Sequence, residues 1–163
     1  MSRYTILQTD IPNQSCYRDF IRKLDYSDAF TITHINPKLS LQEAYIQMFS
    51  NPPKWIKILM KIRNSLVSFI GLKHDLDTSG IDTPQFKIGK IVGMFSLYYI
   101  SNNEIIAGED DKHLDFRVSL LKHEDTLTVS TFVKYNNLFG KVYMFFITPM
   151  HKIVVKNMMK KLI

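Results

Sequence analysis

Residues Glu104–Tyr135, EIIAGEDDKHLDFRVSLLKHEDTLTVSTFVKY, decide the fold. Apolar and polar residues alternate along this stretch, and short acidic runs interrupt the alternation. That is the pattern of half-buried strands joined by tight turns. Two-residue turns at Asn102-Asn103, Asp110-Asp111 and Glu124-Asp125 define testable registers. Ile100 then sits opposite Ile105, and Tyr98 opposite Ala107. On the next pair Ala107 meets Leu114 and Ile105 meets Phe116. On the last, Leu120 meets Val129, Val118 meets Thr131, Phe116 meets Val133 and Leu114 meets Tyr135. Every pair keeps apolar or amphipathic residues on one face. On the other face Glu104 meets Arg117, Asp115 meets Lys134 and His113 meets Asn136, so opposite charges fall into register. The reading is an antiparallel meander.

Helical spacing returns after it. Phe139, Val142, Tyr143, Phe146, Ile147, Met150, Ile153, Val154, Met158 and Leu162 form an apolar stripe, with Pro149 inside it predicting a kink or a break. Upstream, Ala29 to Ile35 alternates as a strand and ends at Asn36-Pro37. Ser40-Leu41-Gln42-Glu43 is a capping box that starts a helix running to about Phe49. A second helix is expected from Pro53 to Gly71, burying Trp55, Ile58, Leu59, Ile62, Leu66, Phe69 and Ile70. Lys73 to Gly89 reads as a long polar loop. Before these, Pro12, Asn13 and Ser15 suggest a loop, with a helix near Cys16 to Leu24.

The chain has 163 residues, 45% hydrophobic and 22% charged, which predicts one domain spanning 1–163. Its 12% aromatic content argues against disorder. A lone Cys16 excludes an internal disulfide framework and suits a reducing cytoplasm. The N-terminus lacks a signal peptide's apolar stretch. The longest unbroken apolar run, Val142 to Ile147, is far short of the roughly 20 residues of a spanning helix, so no integral membrane association is expected.

The net charge of +6 is unevenly spread. Lys141, Lys152, Lys156, Lys160 and Lys161 lie between Leu138 and Ile163 with no acid among them. Lys54, Lys57, Lys61, Arg63 and Lys73 form a second basic stretch, and Glu104 to Asp125 is acidic. Aromatics are not interleaved with the lysines as base-stacking platforms would be, so no nucleic-acid partner is expected.

Strand, two helices, meander and long C-terminal helix make an α+β order. It resembles the helix-grip fold of START-like and birch-pollen-allergen-like domains. Asp25-Tyr26-Ser27-Asp28-Ala29-Phe30, Pro53-Lys54-Trp55, Arg63-Asn64, Gly108 to Arg117 and Pro149-Met150-His151 are similar to an uncharacterised bacterial domain family. That family also occurs fused behind NAD(P)-binding, epimerase-like domains. The resemblance implies an antiparallel sheet curved around the C-terminal helix. It implies no activity, so no catalytic residue is carried over. No glycine-rich dinucleotide fingerprint is present in this chain.

Two candidate sites follow from the strand faces. Met94, Ser96, Tyr98, Phe116, Thr131 and Tyr135 are expected to point at the final helix, with Tyr143 on that helix and Trp55 as a further wall. Hydroxyls among apolar walls suit a small, largely apolar ligand. On the other face His113, Asp115 and Arg117 alternate and could form an acid–base group; the plainer reading is a cross-strand ion-pair ladder. Phe95, Leu97, Tyr99, Ile106 and Phe132 would share that face, which points to a homodimer contact or to cover by an N-terminal segment. No cofactor is implied. Asp75 to Gly80 imitates the start of a calcium loop but has Phe86 where a bidentate glutamate belongs, and the histidines are scattered, so no metal is expected.

Overall fold

The computed structural model describes residues 4–50, 52, 54 and 86–163. Among these, seven strands form one antiparallel sheet. They are β1 (Ile6–Gln8), β2 (Tyr26–Ile32), β3 (Ile91–Val92), β4 (Phe95–Ile100), β5 (Glu104–Asp110), β6 (Leu114–His123) and β7 (Thr126–Tyr135), ordered β1-β2-β7-β6-β5-β4-β3. Helix α1 (Leu41–Phe49) follows β2, and α2 (Leu138–Met159) follows β7. The expected Pro53–Gly71 helix, Trp55, the calcium-like stretch and most of the Lys73–Gly89 loop lie outside the described residues.

The β6–β7 register is as expected throughout, from Leu114 opposite Tyr135 to His123 opposite Thr126. The β5–β6 register is not. The turn falls at Lys112-His113, closed by Asp111 N–H donating to the Leu114 carbonyl, and Asp110 sits opposite Asp115. Every partner therefore moves four residues: Ala107 meets Val118, Ile105 meets Leu120, and Glu104 meets Leu121 instead of Arg117. An even shift preserves the faces, which is why side-chain alternation could not detect it. Two contacts favour the observed register. Arg117 lies opposite Gly108, where a Cβ would come within 2.1 Å of the Phe116 carbonyl oxygen and crowd the arginine stem. Its guanidinium then reaches Asp110 at 2.7 Å.

In β4 the expected register holds only at its end. Ile100 meets Ile105 and Tyr99 meets Ile106, but Leu97, not Tyr98, meets Ala107. A bulge at Tyr98 absorbs one residue and turns the first half of the strand over. Phe95 and Leu97 thus pack with the helices, while Tyr98 and Tyr99 join the opposite side. Phe95 packs edge-on against Phe49 and Phe116, at 5.5 and 5.0 Å between ring centres.

The main core lies between the sheet and the helices. Phe30, Ile105, Leu120 and Leu127 from the sheet meet Ala44, Tyr45, Met48, Val155, Met158 and Met159. Ser40 caps α1 in the expected reciprocal arrangement with Glu43, and Tyr45 donates to the Val92 carbonyl. The β2 strand begins and ends three residues earlier than the Ala29–Ile35 expected. Helix α2 begins at an Asn137 side chain that accepts from Gly140 N–H. Gly140 sits where a Cβ would come within 2.0 Å of the His113 carbonyl oxygen, so only glycine lets the helix start against this turn. Of the kink or break expected at Pro149, the break does not occur: the helix is continuous through it. One 18-residue window of the helical stretch Leu138–Leu162 reaches a mean hydropathy of 1.3, so by length and composition alone it is long and apolar enough to cross a membrane, which counting unbroken apolar runs missed.

The second apolar face is covered by the chain's own N-terminal segment. Instead of a Cys16–Leu24 helix there is a single 3-10 turn, Tyr17–Asp19. Tyr17 stacks on Phe132 at 4.1 Å, and Ile21, Phe20 and Tyr99 complete the layer around Ile106. Glu104 fastens it. Its buried carboxylate accepts from the hydroxyls of Ser15 and Ser119 at 2.5 Å each, from Cys16 N–H at 3.0 Å, and from the Cys16 thiol at 3.1 Å. Burial, then the hydrogen bond to Glu104 and its charge, push the Cys16 thiol up to about 12.

Glu104→Gln is expected to cost about 2 kcal/mol, since hydrogen bonds to a charged acceptor contribute about 1.5–3 kcal/mol each and the amide retains part of them. The same change lowers the Cys16 pKa, so its alkylation by iodoacetamide at mildly alkaline pH accelerates. An unchanged alkylation rate would show that the carboxylate does not hold the thiol.

Candidate functional site

Asp28 lies opposite Thr131 across β2 and β7, on the row that continues through Val118, Ala107 and Leu97. That row faces the helices, so a carboxylate stands inside an otherwise apolar interior. Burying a charge is costly unless partners compensate. Tyr26, two residues earlier on the same face, donates its hydroxyl to Asp28 Oδ2 at 2.5 Å. His151, from the middle of α2, brings Nε2 to 3.5 Å from Asp28 Oδ1 and 3.1 Å from Thr131 Oγ1. Its ring meets Tyr26 edge-on.

The side chain of Asp28 is only 2% exposed and that of His151 22%. Burial alone would raise the Asp28 carboxyl; hydrogen bonding and charge from His151, with the Tyr26 and Thr131 hydroxyls, outweigh it and hold the group below its ordinary 3.8. The Tyr26 phenol is pushed up by burial and by donating to Asp28. Oδ1 nevertheless receives no hydrogen bond of normal length among the described residues. Buried carboxylate oxygens normally have a donor, so this one is positioned to accept one more.

The walls differ on the two sides. Toward Phe30, Leu120 and Ile105 the interior is closed. Toward the start of α2 it is lined by buried Leu114, Val133 and Met144 and by only partly buried Tyr26, Phe116, Tyr135 and Tyr143. The arrangement combines an ionised carboxylate, an adjoining imidazole and aromatic walls. It can accept a hydrogen bond, hold a cation or exchange a proton through His151.

Of the expected ligand residues, Phe116, Tyr135 and Tyr143 share this wall and Thr131 touches its polar group. Met94 packs at the edge of the main core. Ser96 and Tyr98 are not in the group. The β4 bulge puts Ser96 opposite Gly108, on the Arg117 side, and lays Tyr98 beneath the Arg117 guanidinium at 3.7 Å. Tyr26, Asp28 and His151 were missed. They lie in two stretches that carry the family resemblance, Asp25–Phe30 and Pro149–His151, and that was the available signal.

His113, Asp115 and Arg117 do not form one constellation. His113 is in the turn, with Nδ1 at 3.1 Å from the Asn137 amide and its ring on Phe139. Asp115 accepts from Lys134 at 3.0 Å and Asn136 at 2.7 Å; against the effect of burial, these bonds hold its carboxyl low. Arg117 is committed to Asp110, the Phe116 carbonyl and Tyr98. Only the Asp115–Lys134 pair of the expected charge ladder forms as an ion pair. On that side of the sheet a groove of about 340 Å³ runs past Pro12, Cys16, Tyr99, Glu104 and Thr128. Its carboxylate is already fully engaged and its thiol is held protonated. Among the described residues, no three His, Cys, Asp or Glu side chains gather as a metal site.

Because the native Asp28 carboxyl lies below its ordinary value, folding favours the ionised form. The stability this supplies is present above about pH 3.8 and is lost as pH falls through the native value. Asp28→Asn is therefore expected to flatten the acid side of the unfolding free-energy profile, measured by urea titration. At neutral pH it should cost about 2 kcal/mol, the contribution of a charge-assisted hydrogen bond. A variant with the wild-type acid slope would contradict this assignment.

No curated protein and no solved structure matches the chain. Residues 20–158 match the family described as protein of unknown function (DUF2867), a span that contains Tyr26, Asp28, Thr131 and His151. The sheet, its C-terminal helix and the polar group between them are thus features of a DUF2867 protein, and this chain belongs to that family.

Proposed function

We propose that this protein binds a small, largely apolar molecule carrying one hydrogen-bond donor, between the sheet and the first half of α2. The observation that supports it most is Asp28 Oδ1, a buried carboxylate oxygen whose nearest donor among the described residues is His151 Nε2 at 3.5 Å, beside partly buried aromatic walls. A ligand hydroxyl or amine would supply that donor, while Phe116, Tyr135, Tyr143 and Met144 would take its apolar body. Methionine and tyrosine suit such a wall, since one adapts its shape and the other keeps its hydroxyl toward polar atoms. The fold is read as helix-grip on the same grounds. The final helix follows the final strand and returns across the face that carries the polar group.

A second reading, general acid–base catalysis, is favoured by the His151 imidazole, part exposed and held against a buried carboxylate. In that case the pair is Asp28–His151, since His113, Asp115 and Arg117 are each engaged elsewhere.

N-phenyl-1-naphthylamine, apolar apart from one N–H, is a direct probe. Its fluorescence is expected to rise on binding the wild-type protein, with affinity about tenfold lower in Asp28→Asn, as for one lost hydrogen bond to a charged group. Met144→Trp, which fills the apolar side, should lower it further. A flat titration, together with native mass spectra free of any retained small molecule, would overturn the reading. A retained molecule released chemically altered by the wild type and unaltered by His151→Asn would move it to catalysis.

A further inference from the structure

The side of α2 turned away from the sheet is also apolar. Leu138, Val142, Phe145, Phe146, Pro149 and Ile153 recur at helical spacing and are all exposed, Phe145 and Phe146 to 76% and 69%. The opposite side is buried through Gly140, Met144, Val155, Met158 and Met159. Only 17% of the most apolar window of this helix is buried. Two adjacent phenylalanines in water, continued by aliphatic residues for about four turns, exceed the scattered apolar exposure of an ordinary surface.

The charge around this face selects its partner. Lys141, Lys152 and Lys160 border or continue it, and no Asp or Glu occurs from Leu138 to Ile163. Lys156 lies near it but places its ammonium over the Phe30 ring at 5.2 Å. A second copy stacked on the same helix would set lysines against lysines with no acid to pair them. An anionic bilayer surface complements both properties, offering headgroup charge to the lysines and the acyl boundary to the phenylalanines. The helix is anchored by its inner side and by the Asn137 cap, so it would lie along the surface rather than cross it.

We propose that the outer face of α2 is a peripheral docking site for anionic lipid, with Phe145 and Phe146 entering the interface and Lys141, Lys152 and Lys160 contacting headgroups.

The test is co-sedimentation of the full chain with vesicles of phosphatidylcholine alone or mixed with phosphatidylglycerol. Binding is expected only with phosphatidylglycerol present, falling as salt is raised. Phe145→Ser/Phe146→Ser and, separately, Lys141→Gln/Lys152→Gln/Lys160→Gln should each weaken it by at least about tenfold, without lowering the melting temperature. Equal partitioning onto both vesicles, or binding that neither variant changes, would overturn the proposal. So would a wild-type dimer that the phenylalanine variant converts to monomer, since the face would then belong to a second copy. A marked loss of thermal stability in that variant would also overturn it, by showing that the face packs within the chain.

Discussion

Glu104 is a buried carboxylate at the start of β5, and its burial is tolerable only because four donors converge on it. Three of them come from Ser15 and Cys16, at the far end of the chain. The Glu104 side chain and the N-terminal segment therefore depend on each other. With the segment in place, Tyr17 covers Phe132 and the layer around Ile106 closes. A sheet apolar on both faces becomes a stable element in which one face is spent on the chain's own terminus and the other remains for α1 and α2.

The inner face carries the second buried carboxylate, and the contrast with Glu104 is informative. Glu104 is surrounded by donors from the N-terminal segment and from β6. Among the described residues, Asp28 has one hydrogen bond of normal length, from Tyr26, and a longer ion-pair contact with His151. Glu104 is thus a fastening, whereas Asp28 is held by fewer contacts among the described residues. The surrounding side chains grade in the same direction, from closed packing around Leu120 to partly buried rings around Tyr135.

How much of this was legible depended on the spatial range of each constraint. The capping box at Ser40 and the β6–β7 register rest on neighbours in sequence or on a tight turn, and both could be read directly. Turn position between β5 and β6 could not, because the alternation is identical for registers four residues apart. Only the Arg117–Asp110 contact and the space at Gly108 separate them. The bulge at Tyr98 likewise leaves no signature in a run as rich in large apolar and aromatic residues as Phe95 to Ile100, yet it decides which of those residues can reach the interior. Ser96 and Tyr98 turn away from the expected face for that reason alone, while Phe116, Thr131 and Tyr135 keep the expected face because their strands carry no such insertion.

By itself, the sequence determined the α+β order, the C-terminal helix, the strand pairing at its most local hairpin and the side of β6 and β7 that is apolar, since each follows from periodicity and turn chemistry over a few residues. Tertiary structure decided which polar groups are left inside. Asp28 and His151 meet because β2 pairs with β7 and α2 returns across that pair, an arrangement with no local trace. It also decided that His113, Asp115 and Arg117 are not one site: a turn displaced by two residues gives each of them another partner before they can share one.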